Sequence, residues 1–502
     1  MSVLNQASPS TVLPAAAATP RPSACPGLLR IVAARDGGIC RIKLPGGALS
    51  ATQARAVADA STRHAAGVIE LTNRANLQVR GVRNGHEAAL NALLVEAGLG
   101  PTPAAVPLGH ASAAANLALT SSADDVRNVM ISPAAGRDPD ALIDTTPLCA
   151  ELLALLQSET RFAALSPKFA LLLDGGERLA RVDHPHDVWL AATQADDGVR
   201  FVFGLAGCPP VGRAATTGST GSTGSASAQR TSRASHLPHA NGTLALATVQ
   251  PAQVAALVRA LLHTFIDLAS ADATRMRHLL AAHSVDTLLE HAQRYVDFPL
   301  SRDASLADWQ RSTPADAALR LGAHAQRIPG TWQVGGQPPL GRLDAAALHE
   351  LATLAQRHGN GTLHVTPWQS VLLPDLATPV VPNVLAELNA LGLACDPTQA
   401  IAHLIACAGS TGCAKSLADT KADALQLATR LSAGVDVHLS GCARSCAAAH
   451  CAPYTLLAAA PGTYDLYRRD GQAGFGQCVA HQLTIAQAAD LLDQLARSYP
   501  DA

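Results

Sequence analysis

Cysteine is unevenly distributed along this 502-residue chain, because five of its eleven cysteines fall within 45 residues near the C-terminal end. The five are Cys407, Cys413, Cys442, Cys446 and Cys451. The first four form two close pairs, and four thiolates in two pairs can hold a 4Fe-4S cluster or a zinc ion. Zinc pairs are usually about two to four residues apart, so the five-residue gap between Cys407 and Cys413 favours the cluster. A zinc site and inert core cysteines are the alternatives.

The segments around the two pairs indicate how the thiols could be positioned. Gly409 and Gly412 would let the first loop fold tightly with its amides turned inward, where they stabilise thiolate charge. A helix is predicted from Ala414 to Leu431 and a strand from Val435 to Leu439, directly before Cys442. Cys446 would then face the same way as Cys442 over one helical turn. Cys451 is predicted to be a packed bystander, and His450 is as compatible with a surface side chain as with a ligand.

Composition excludes several classes of protein. The net charge of −2 provides no overall field that would attract nucleic acid or a membrane surface. No apolar run reaches about 18 residues, so a membrane span is not expected. The other six cysteines are scattered, which does not fit a disulfide scaffold. The first 24 residues contain no secretion signal and are predicted to form a disordered tail, so a cytoplasmic location is expected.

An internal repeat gives the organisation of the chain. Pro45–Arg80 and Pro339–Pro374 align without a gap at an offset of 294 residues. Each copy has a Pro/Gly turn, an Ala/Leu-rich helix, a glycine and an apolar strand that ends at a threonine, Thr72 or Thr366. A loop and a second strand follow. A period this long indicates a duplicated domain and not a solenoid, so the repeat predicts a pseudo-twofold architecture.

Between the repeats, the sequence predicts a different unit. Lys168–Asp174 is expected to be a strand, and Asp187–Thr193 with Val199–Gly204 a hairpin. Helical spacing appears in Val254–Leu268 and Thr287–Tyr295. Residues 214–235 repeat Gly, Ser and Thr and are predicted to be a disordered insertion. We therefore divide the chain at 1–24, 25–110, 111–325, 326–390 and 391–502.

Three further motifs, together with the cysteine pairs, carry a resemblance to a known family. The motifs are Gly67-Val-Ile-Glu-Leu-Thr-Asn-Arg74, Arg127-Asn128-Val129-Met130 and Pro167-Lys168-Phe169. Together with Cys-x5-Cys and Cys-x3-Cys, they resemble the sulfite and nitrite reductase superfamily. This resemblance implies an α+β fold with a duplicated, pseudo-twofold architecture. Ferredoxin-like half-domains at 25–110 and 326–390 would flank an α/β domain at 111–325, and a 4Fe-4S cluster-binding domain would follow at 391–502. In such reductases the last cysteine, here Cys446, also bridges the cluster to a sirohaem iron.

Within the superfamily, the chain most resembles the precorrin-3B synthase family. Three segments carry this resemblance: Cys25-Pro-Gly-Leu-Leu-Arg30, Asp36-Gly-Gly-Ile-Cys-Arg-Ile-Lys-Leu-Pro-Gly-Gly47 and Thr366-Pro-Trp368. It implies an oxygen-dependent monooxygenase of cobalamin biosynthesis. Such an enzyme hydroxylates precorrin-3A and closes a lactone, with dioxygen and with NADH as the ultimate electron donor. The tetrapyrrole pocket would hold substrate, which makes bound sirohaem less expected.

Several cationic residues in these motifs are candidates for binding a polycarboxylate, because guanidinium groups pair well with carboxylates. The predicted substrate-binding residues are Arg74, Arg80, Arg127, Asn128 and Lys168. Reductases of the superfamily tend to have a second lysine two residues after Lys168, where this chain has Ala170. In the second repeat, Trp368 occupies the position equivalent to Arg74. It is followed by Gln369, where the synthases often have arginine. A surface position is the alternative for each cationic candidate.

The reaction also needs an oxygen-activating centre and a source of electrons. A mononuclear non-haem iron is one option, and His184, His186 and Asp187 superficially offer its ligand set. The sequence has no nucleotide-binding or flavin motif, so electrons are expected to come from a separate reductase or small carrier. The alternatives to the synthase are a sirohaem-dependent sulfite or nitrite reductase and a non-catalytic tetrapyrrole- or cluster-binding protein.

Overall fold

The described part of the chain forms four five-stranded sheets, two in a duplicated pair of half-domains and one in each of two further units. The computed structural model describes residues 25–101, 113–211, 244–432, 434–448, 452–470 and 474–498. The predicted tail at 1–24, the insertion at 214–235, His450 and Cys451 lie outside these ranges. No helix in the described ranges is both long and apolar enough to span a membrane.

Residues 25–101 of the first half-domain contain five strands and two α-helices. They are β1 (Val32–Ala34), β2 (Gly37–Ile42), β3 (Ala48–Ser50), α1 (Ala51–His64), β4 (Val68–Leu71), β5 (Leu77–Val82) and α2 (Glu87–Glu96). Helix α1 begins with a capping box, in which Ser50 accepts from the Gln53 amide and the Gln53 side chain accepts from the Ser50 amide.

A second unit follows with a mixed sheet and helices. Its elements are α3 (Ala113–Asp125), β6 (Val129–Met130), α4 (Thr146–Ser158), β7 (Leu171–Asp174), β8 (His186–Ala195), β9 (Gly198–Gly207), β10 (Ala247–Val249), α5 (Val254–Leu268), α6 (Met276–Ala282) and α7 (Val285–Ala292). The sheet order is β10-β9-β8-β7-β6, and β8 and β9 form the predicted antiparallel hairpin. The parallel pairing of β6, β7 and β8 brings the starts of these strands to one edge.

The second half-domain repeats the first. It contains β11 (Gly322–Ala325), β12 (Thr331–Gly336), β13 (Arg342–Asp344), α8 (Ala345–His358), β14 (Thr362–Val365), β15 (Val371–Ala377) and α9 (Val381–Ala390). Asp344 caps α8 at the position equivalent to Ser50 in the first copy. The loops after β4 and β14 also match, because Ala75 and Gln369 both adopt a left-handed backbone at φ 55° and 62°. The structure therefore confirms the pseudo-twofold repeat.

The two half-domains exchange a strand. The first sheet has the order β1-β2-β5-β4-β13 and the other has β11-β12-β15-β14-β3, so each takes its last strand from the opposite copy. Leu49 lies opposite Leu363, and Leu343 lies opposite Ile69. The turn that sends β3 across needs Gly47, because a Cβ there would lie 2.0 Å from the Val365 carbonyl oxygen. One continuous hydrophobic core includes α1 and α8 and residues from both sheets.

The last unit carries the four paired cysteines. Its elements are β16 (Leu404–Ala406), α10 (Gly409–Gly412), α11 (Thr420–Ala428), β17 (Val437–Ser440), β18 (Tyr454–Ala460), β19 (Thr463–Arg468), β20 (Gln477–Thr484) and α12 (Ile485–Ser498). The strands follow in sequence order across the sheet, with β16, β17 and β18 parallel. The helix predicted from Ala414 is shorter than expected and begins only at Thr420, where Asp419 provides the N-cap.

Candidate active site

A cavity of about 750 Å³ lies between the first half-domain and the cysteine-bearing unit. All four paired cysteines line it: Cys407, Cys413, Cys442 and Cys446. Parallel strands β16 and β17 both end at this cavity, so the loop after each strand delivers one pair of cysteines. The topology of the sheet, together with the two loops, thus brings together residues that are about 30 positions apart in the sequence.

The four thiols are near neighbours in this cavity. Burial and the negative charges of Cys442, Cys407 and Cys413 raise the pKa of Cys446. The Gly441 amide donates to the Cys407 sulfur at 3.3 Å, as expected of a site that stabilises thiolate charge. A zinc ion would need four sulfurs within about 2.3 Å of one point. Within the described ranges no three His, Cys, Asp or Glu side chains form such a group. Four thiolates in two pairs are also the ligand set of a 4Fe-4S cluster.

Backbone geometry explains the glycines of the two cysteine loops. Gly409 adopts φ 69°, and the Cys413 amide donates back to its carbonyl. A Cβ on Gly412 would lie 2.6 Å from a guanidinium nitrogen of Arg80, and one on Gly441 would lie 1.7 Å from the Ser416 hydroxyl. The loops are therefore tight because other residues pass close to their backbone.

The helical turn predicted from Cys442 to Cys446 is wrong. Residues 441–448 form turns, and Ser445 between the two cysteines adopts a left-handed backbone with φ 49°. Both thiols nevertheless reach the cavity. An irregular loop brings them together through its turn geometry, without the i, i+4 spacing of a helix.

Arg80 lies on the cavity wall but is already paired. Its guanidinium bonds Asp36 at 2.8 and 2.9 Å, lies 3.5 Å from Glu70 and donates to the Gly412 carbonyl at 3.1 Å. Only 3% of the residue is exposed. Arg80 therefore fastens the first cysteine loop to the first half-domain, and its predicted contact with substrate stays a prediction.

Arg127 and Asn128 lie beside a smaller cavity and are engaged by protein groups. Arg127 donates to the carboxylate of Asp124 at 3.0 Å and to the carbonyls of Leu99 and Lys43. The Asn128 side-chain amide donates to three carbonyls, those of Asp125, Pro167 and Phe169. These contacts give the motif a structural role, because they hold together the start of β6, the approach to β7 and Lys43, which directly follows β2.

Arg74 and Lys168 occupy different environments. Arg74 is half-buried beside the small cavity, and its guanidinium makes no hydrogen bond within the described part of the chain. Burial and the nearby charges of Arg275 and Arg41 lower the pKa of Arg74 to about 10. Lys168 is exposed and lines neither the large nor the small cavity. Arg74 is therefore the predicted binding residue that is most available to a ligand.

The small cavity measures about 20 Å³ and adjoins the positions highlighted by the motifs. Arg74, Arg127 and Asn128 line it together with Ala170, at the position where reductases of the superfamily tend to have a second lysine. His186 completes the wall and is only 1% exposed. The wall of the small cavity thus has the methyl group of Ala170 at the position of that second lysine.

Sequence reasoning missed several cations on the large cavity. They are Arg35, Arg41, Lys415, Lys421 and Arg444. The alternation of side chains along a strand could have identified Arg41 from the sequence. Arg41 and Ile39 lie on the same face of β2, and both line the cavity. The Nε atom of Arg41 is buried without a hydrogen-bond partner among the described residues. The charge of Cys446 acts on Arg41, which places this guanidinium near the second cysteine pair.

The ligand set suggested for a mononuclear iron does not assemble. Asp187 accepts from the Arg275 guanidinium at 2.9 Å and from the amides of Ala170 and Met276. Its carboxylate is therefore used for structure, and no three metal-binding side chains cluster in the described ranges. His184 and His186 lie edge to face, with ring centroids 5.3 Å apart.

The second repeat contributes less to the cavities. Trp368 is the residue of the second repeat that is equivalent to Arg74. The guanidinium carbon of Arg181 lies over its ring, 5.4 Å from the ring centroid. Gln369 reaches the large cavity and contacts the Gly341 turn. The two halves have therefore diverged at the loop after the first repeat strand, and the cationic loop is in the first half.

Comparisons with known families give a consistent result. The nitrite/sulfite reductase ferredoxin-like half domain matches residues 33–97 and 324–391. The nitrite and sulphite reductase 4Fe-4S domain matches residues 122–300. Together these matches cover more than half of the chain, and they include both copies of the repeat.

Individual relatives point to two activities. The ferredoxin–nitrite reductase of Synechococcus elongatus is 28% identical over 451 residues, covering 86% of this chain and 77% of the relative. The precorrin-3B synthase of Sinorhizobium sp is 27% identical over 499 residues, covering 97% of this chain and 91% of the relative. The structure of Mycobacterium tuberculosis NirA protein superimposes with a TM-score of 0.69 over 92% of this chain and 80% of that protein, at 22% identity. That likeness shows a shared fold.

Proposed function

Because this chain belongs to the nitrite and sulfite reductase superfamily of 4Fe-4S oxidoreductases, we propose that it converts precorrin-3A to precorrin-3B with dioxygen. One oxygen atom would enter the ring as a hydroxyl group, and an acetate side chain would close a lactone. The other oxygen atom would leave as water, which consumes two electrons and two protons. NADH would be the ultimate electron donor, through a separate reductase or carrier.

The observation that carries this proposal is Ala170 in the small cavity. A reductase that holds a small anion and supplies it with protons needs concentrated positive charge. Here the wall beside Arg74 has a methyl group at the position of the second lysine. The likeness to the Sinorhizobium synthase, which extends over nearly the full length of both chains, supports the same proposal.

The large cavity has the properties required for a polycarboxylate. Its volume of about 750 Å³ is in the range of small-molecule pockets. Arg41, Lys415 and Arg444 line it and make no ion pair with an acidic side chain among the described residues, so they would bind carboxylates directly. When bound to the four cysteines, a 4Fe-4S cluster would supply single electrons next to these cations.

A sirohaem-dependent sulfite or nitrite reductase is the second candidate. Arg74, Arg127 and Lys168, which carry the resemblance to such reductases, are all present, and sirohaem is typical of the superfamily. The several nitrite reductases among the relatives favour this candidate. Mononuclear iron is not part of either proposal, because Asp187 is already committed to Arg275.

The visible spectrum and three activity assays distinguish the candidates. Protein purified without oxygen should show the broad absorption of an iron–sulfur cluster and none of the strong red and near-ultraviolet bands of sirohaem. It should convert precorrin-3A to the hydroxylated lactone in the presence of dioxygen and a reductant, and should not reduce sulfite or nitrite. Bound sirohaem, turnover of sulfite or nitrite, and no reaction with precorrin-3A would establish the reductase instead.

A further inference from the structure

The small cavity beside the large one has an unexplained buried imidazole. Neither ring nitrogen of His186 makes a hydrogen bond of ordinary geometry within the described residues, although the residue is only 1% exposed. A buried polar side chain normally has a hydrogen-bond partner, because leaving it unsatisfied in the protein interior is unfavourable. His186 lines the small cavity with Arg74, so its missing partner would be a ligand at that place.

The other polar side chains around this cavity do not need a ligand. Arg127 is paired with Asp124, and the Asn128 amide is used by three backbone carbonyls. Asn76 accepts a hydrogen bond from the Leu44 amide. Among the polar side chains that line the small cavity, Arg74 and His186 are therefore the two that could still form hydrogen bonds with a ligand.

The charges facing His186 favour an anion. Burial and the positive charges of Arg74, Arg275 and Arg181 lower the pKa of His186 to about 3, while the polar backbone of His184 acts in the opposite direction. The His184 ring also faces His186, with ring centroids 5.3 Å apart. Arg275 is neutralised by Asp187 and Arg181 by Asp183. Arg74 makes no ion pair with an acidic side chain in the described ranges, although the charge of Asp187 also acts on it. The cavity therefore has a guanidinium available to an anion next to a neutral imidazole.

We propose that Arg74 and His186 form a subsite that binds one carboxylate of a ligand seated in the large cavity. A space of about 20 Å³ admits an oxygen atom or a carboxylate edge but not a ring system. The two spaces lie on either side of one loop, because Asn73 lines the large cavity and its chain neighbour Arg74 lines the small one. This inference rests on the proposed function, and it identifies His186 as a binding residue that the sequence motifs did not suggest for this role.

The subsite makes the ligand's carboxylate a partner of the imidazole. A carboxylate between the two groups would accept from the Arg74 guanidinium and from one ring nitrogen of His186. Its negative charge would raise the pKa of His186, since an opposite charge within about 4–6 Å favours the charged form. Binding should therefore be coupled to uptake of part of a proton, which a purely structural histidine would not produce.

The test is calorimetric titration of the cluster-containing protein with precorrin-3A at about pH 6. Two buffers of different ionisation enthalpy are used, so that the number of protons taken up on binding can be measured. The wild-type protein should take up a fraction of a proton on binding. His186→Leu should bind about ten- to a hundredfold more weakly, as expected for loss of a hydrogen bond to a charged group. His186→Asn should recover part of the affinity without proton uptake, and both variants should keep the cluster spectrum.

His364→Asn is the matched control. His364 also has a buried ring nitrogen without a partner in the described ranges, and burial and the charge of Arg137 lower its pKa to about 4. It lines neither cavity, so its replacement should leave affinity and proton uptake unchanged.

Two outcomes would overturn the inference. If the His186 variants bind precorrin-3A as the wild type does, with the same proton uptake, the subsite does not exist although the proposed function stands. If neither precorrin-3A nor sirohaem binds to the wild-type protein, both proposals fail. Binding of sirohaem alone, weakened by His186→Leu, would preserve the carboxylate subsite and refute the proposed function.

Discussion

At the scale of single residues, the predicted site separates into groups that protein partners already hold and groups that are open to a ligand. Arg80, Arg127 and Asn128 are held by carboxylates and backbone carbonyls. Arg74 and Arg41 are not held in this way among the described residues. A motif indicates which residues the fold requires near a site, but it does not distinguish the residues that build the wall from those that contact the ligand.

The cysteines provide the first prediction at this scale. Replacing any of Cys407, Cys413, Cys442 and Cys446 by serine should lower the iron content and the visible absorbance, since each thiol lines the same cavity. Iron and acid-labile sulfide should be measured on anaerobically purified protein. Cys478→Ser is the control, because Cys478 lies on β20 and does not line the cavity. Four irons retained in Cys442→Ser would contradict the assignment of the cluster.

At the scale of elements, local patterns predicted most strands and helices but not their partners. The repeat predicted the turn, helix and strand of each half-domain, because caps, glycines and apolar alternation are local signals. The exchange of β3 and β13 between the halves was not predictable, because a three-residue strand contains no information about a partner nearly 300 residues away. The loop from Cys442 to Cys446 was mistaken for a helical turn for a similar reason. The spacing fits a helix, but the left-handed Ser445 follows from packing with the rest of the site.

The exchanged strand predicts that the half-domains unfold together. Leu49 on β3 is 1% exposed and lies opposite Leu363 in the other half's sheet. Leu49→Ala should lower the free energy of unfolding by about 2–5 kcal/mol, because it removes a buried side chain and leaves a cavity. The loss should appear as one shifted transition that involves both halves.

Leu425→Ala on α11 is the matched control for Leu49→Ala, because the same truncation is made where the side chain is 48% exposed. Its effect should be within about 0.5 kcal/mol. Chemical denaturation followed by circular dichroism, with hydrogen exchange to locate the protected amides, measures both variants. Loss of protection confined to residues 25–101 would show that the first half-domain is independent of the strand exchange.

At the scale of the whole molecule, Glu70 joins three parts of the protein under the large cavity. Its carboxylate accepts from Arg342 of the second half-domain at 2.7 Å and lies 3.7 Å from Lys421 of the cysteine-bearing unit. Arg80 of its own half-domain lies 3.5 Å away and also bonds the Gly412 carbonyl. Lys421 in turn donates to the carbonyls of Leu340 and Ala406. The position of the cysteine loops relative to the half-domains therefore depends on one largely buried ion network, of which Arg342 is the most exposed member.

Removing the charge of Glu70 should destabilise the assembled protein in a manner that depends on pH. Burial opposes ionisation, but the charges of Lys421, Arg80 and Arg342 outweigh it and lower the pKa of Glu70. A carboxyl group whose pKa is lowered by folding contributes its full stabilisation at pH values above its ordinary pKa of 4.5. This contribution is lost as the pH falls through the folded-state pKa. Glu70→Gln should therefore cost about 1–3 kcal/mol at neutral pH, because the buried Lys421 loses its carboxylate partner whereas Arg80 keeps Asp36. The difference in the free energy of unfolding between Glu70→Gln and the wild type should become smaller at pH values below this ordinary pKa.

Urea denaturation at neutral and at acid pH measures the effect of Glu70→Gln, and Asp59→Asn is its control. Asp59 pairs with Arg63 at 3.8 Å where both side chains are more than half exposed, so its loss should hardly move the midpoint at either pH. The variant should also lose cluster iron more readily than the control when a chelator is added, because the Arg80 and Lys421 contacts that hold the first cysteine loop are weakened. Equal midpoints for Glu70→Gln and Asp59→Asn at neutral pH would show that the three units are held together by apolar packing alone.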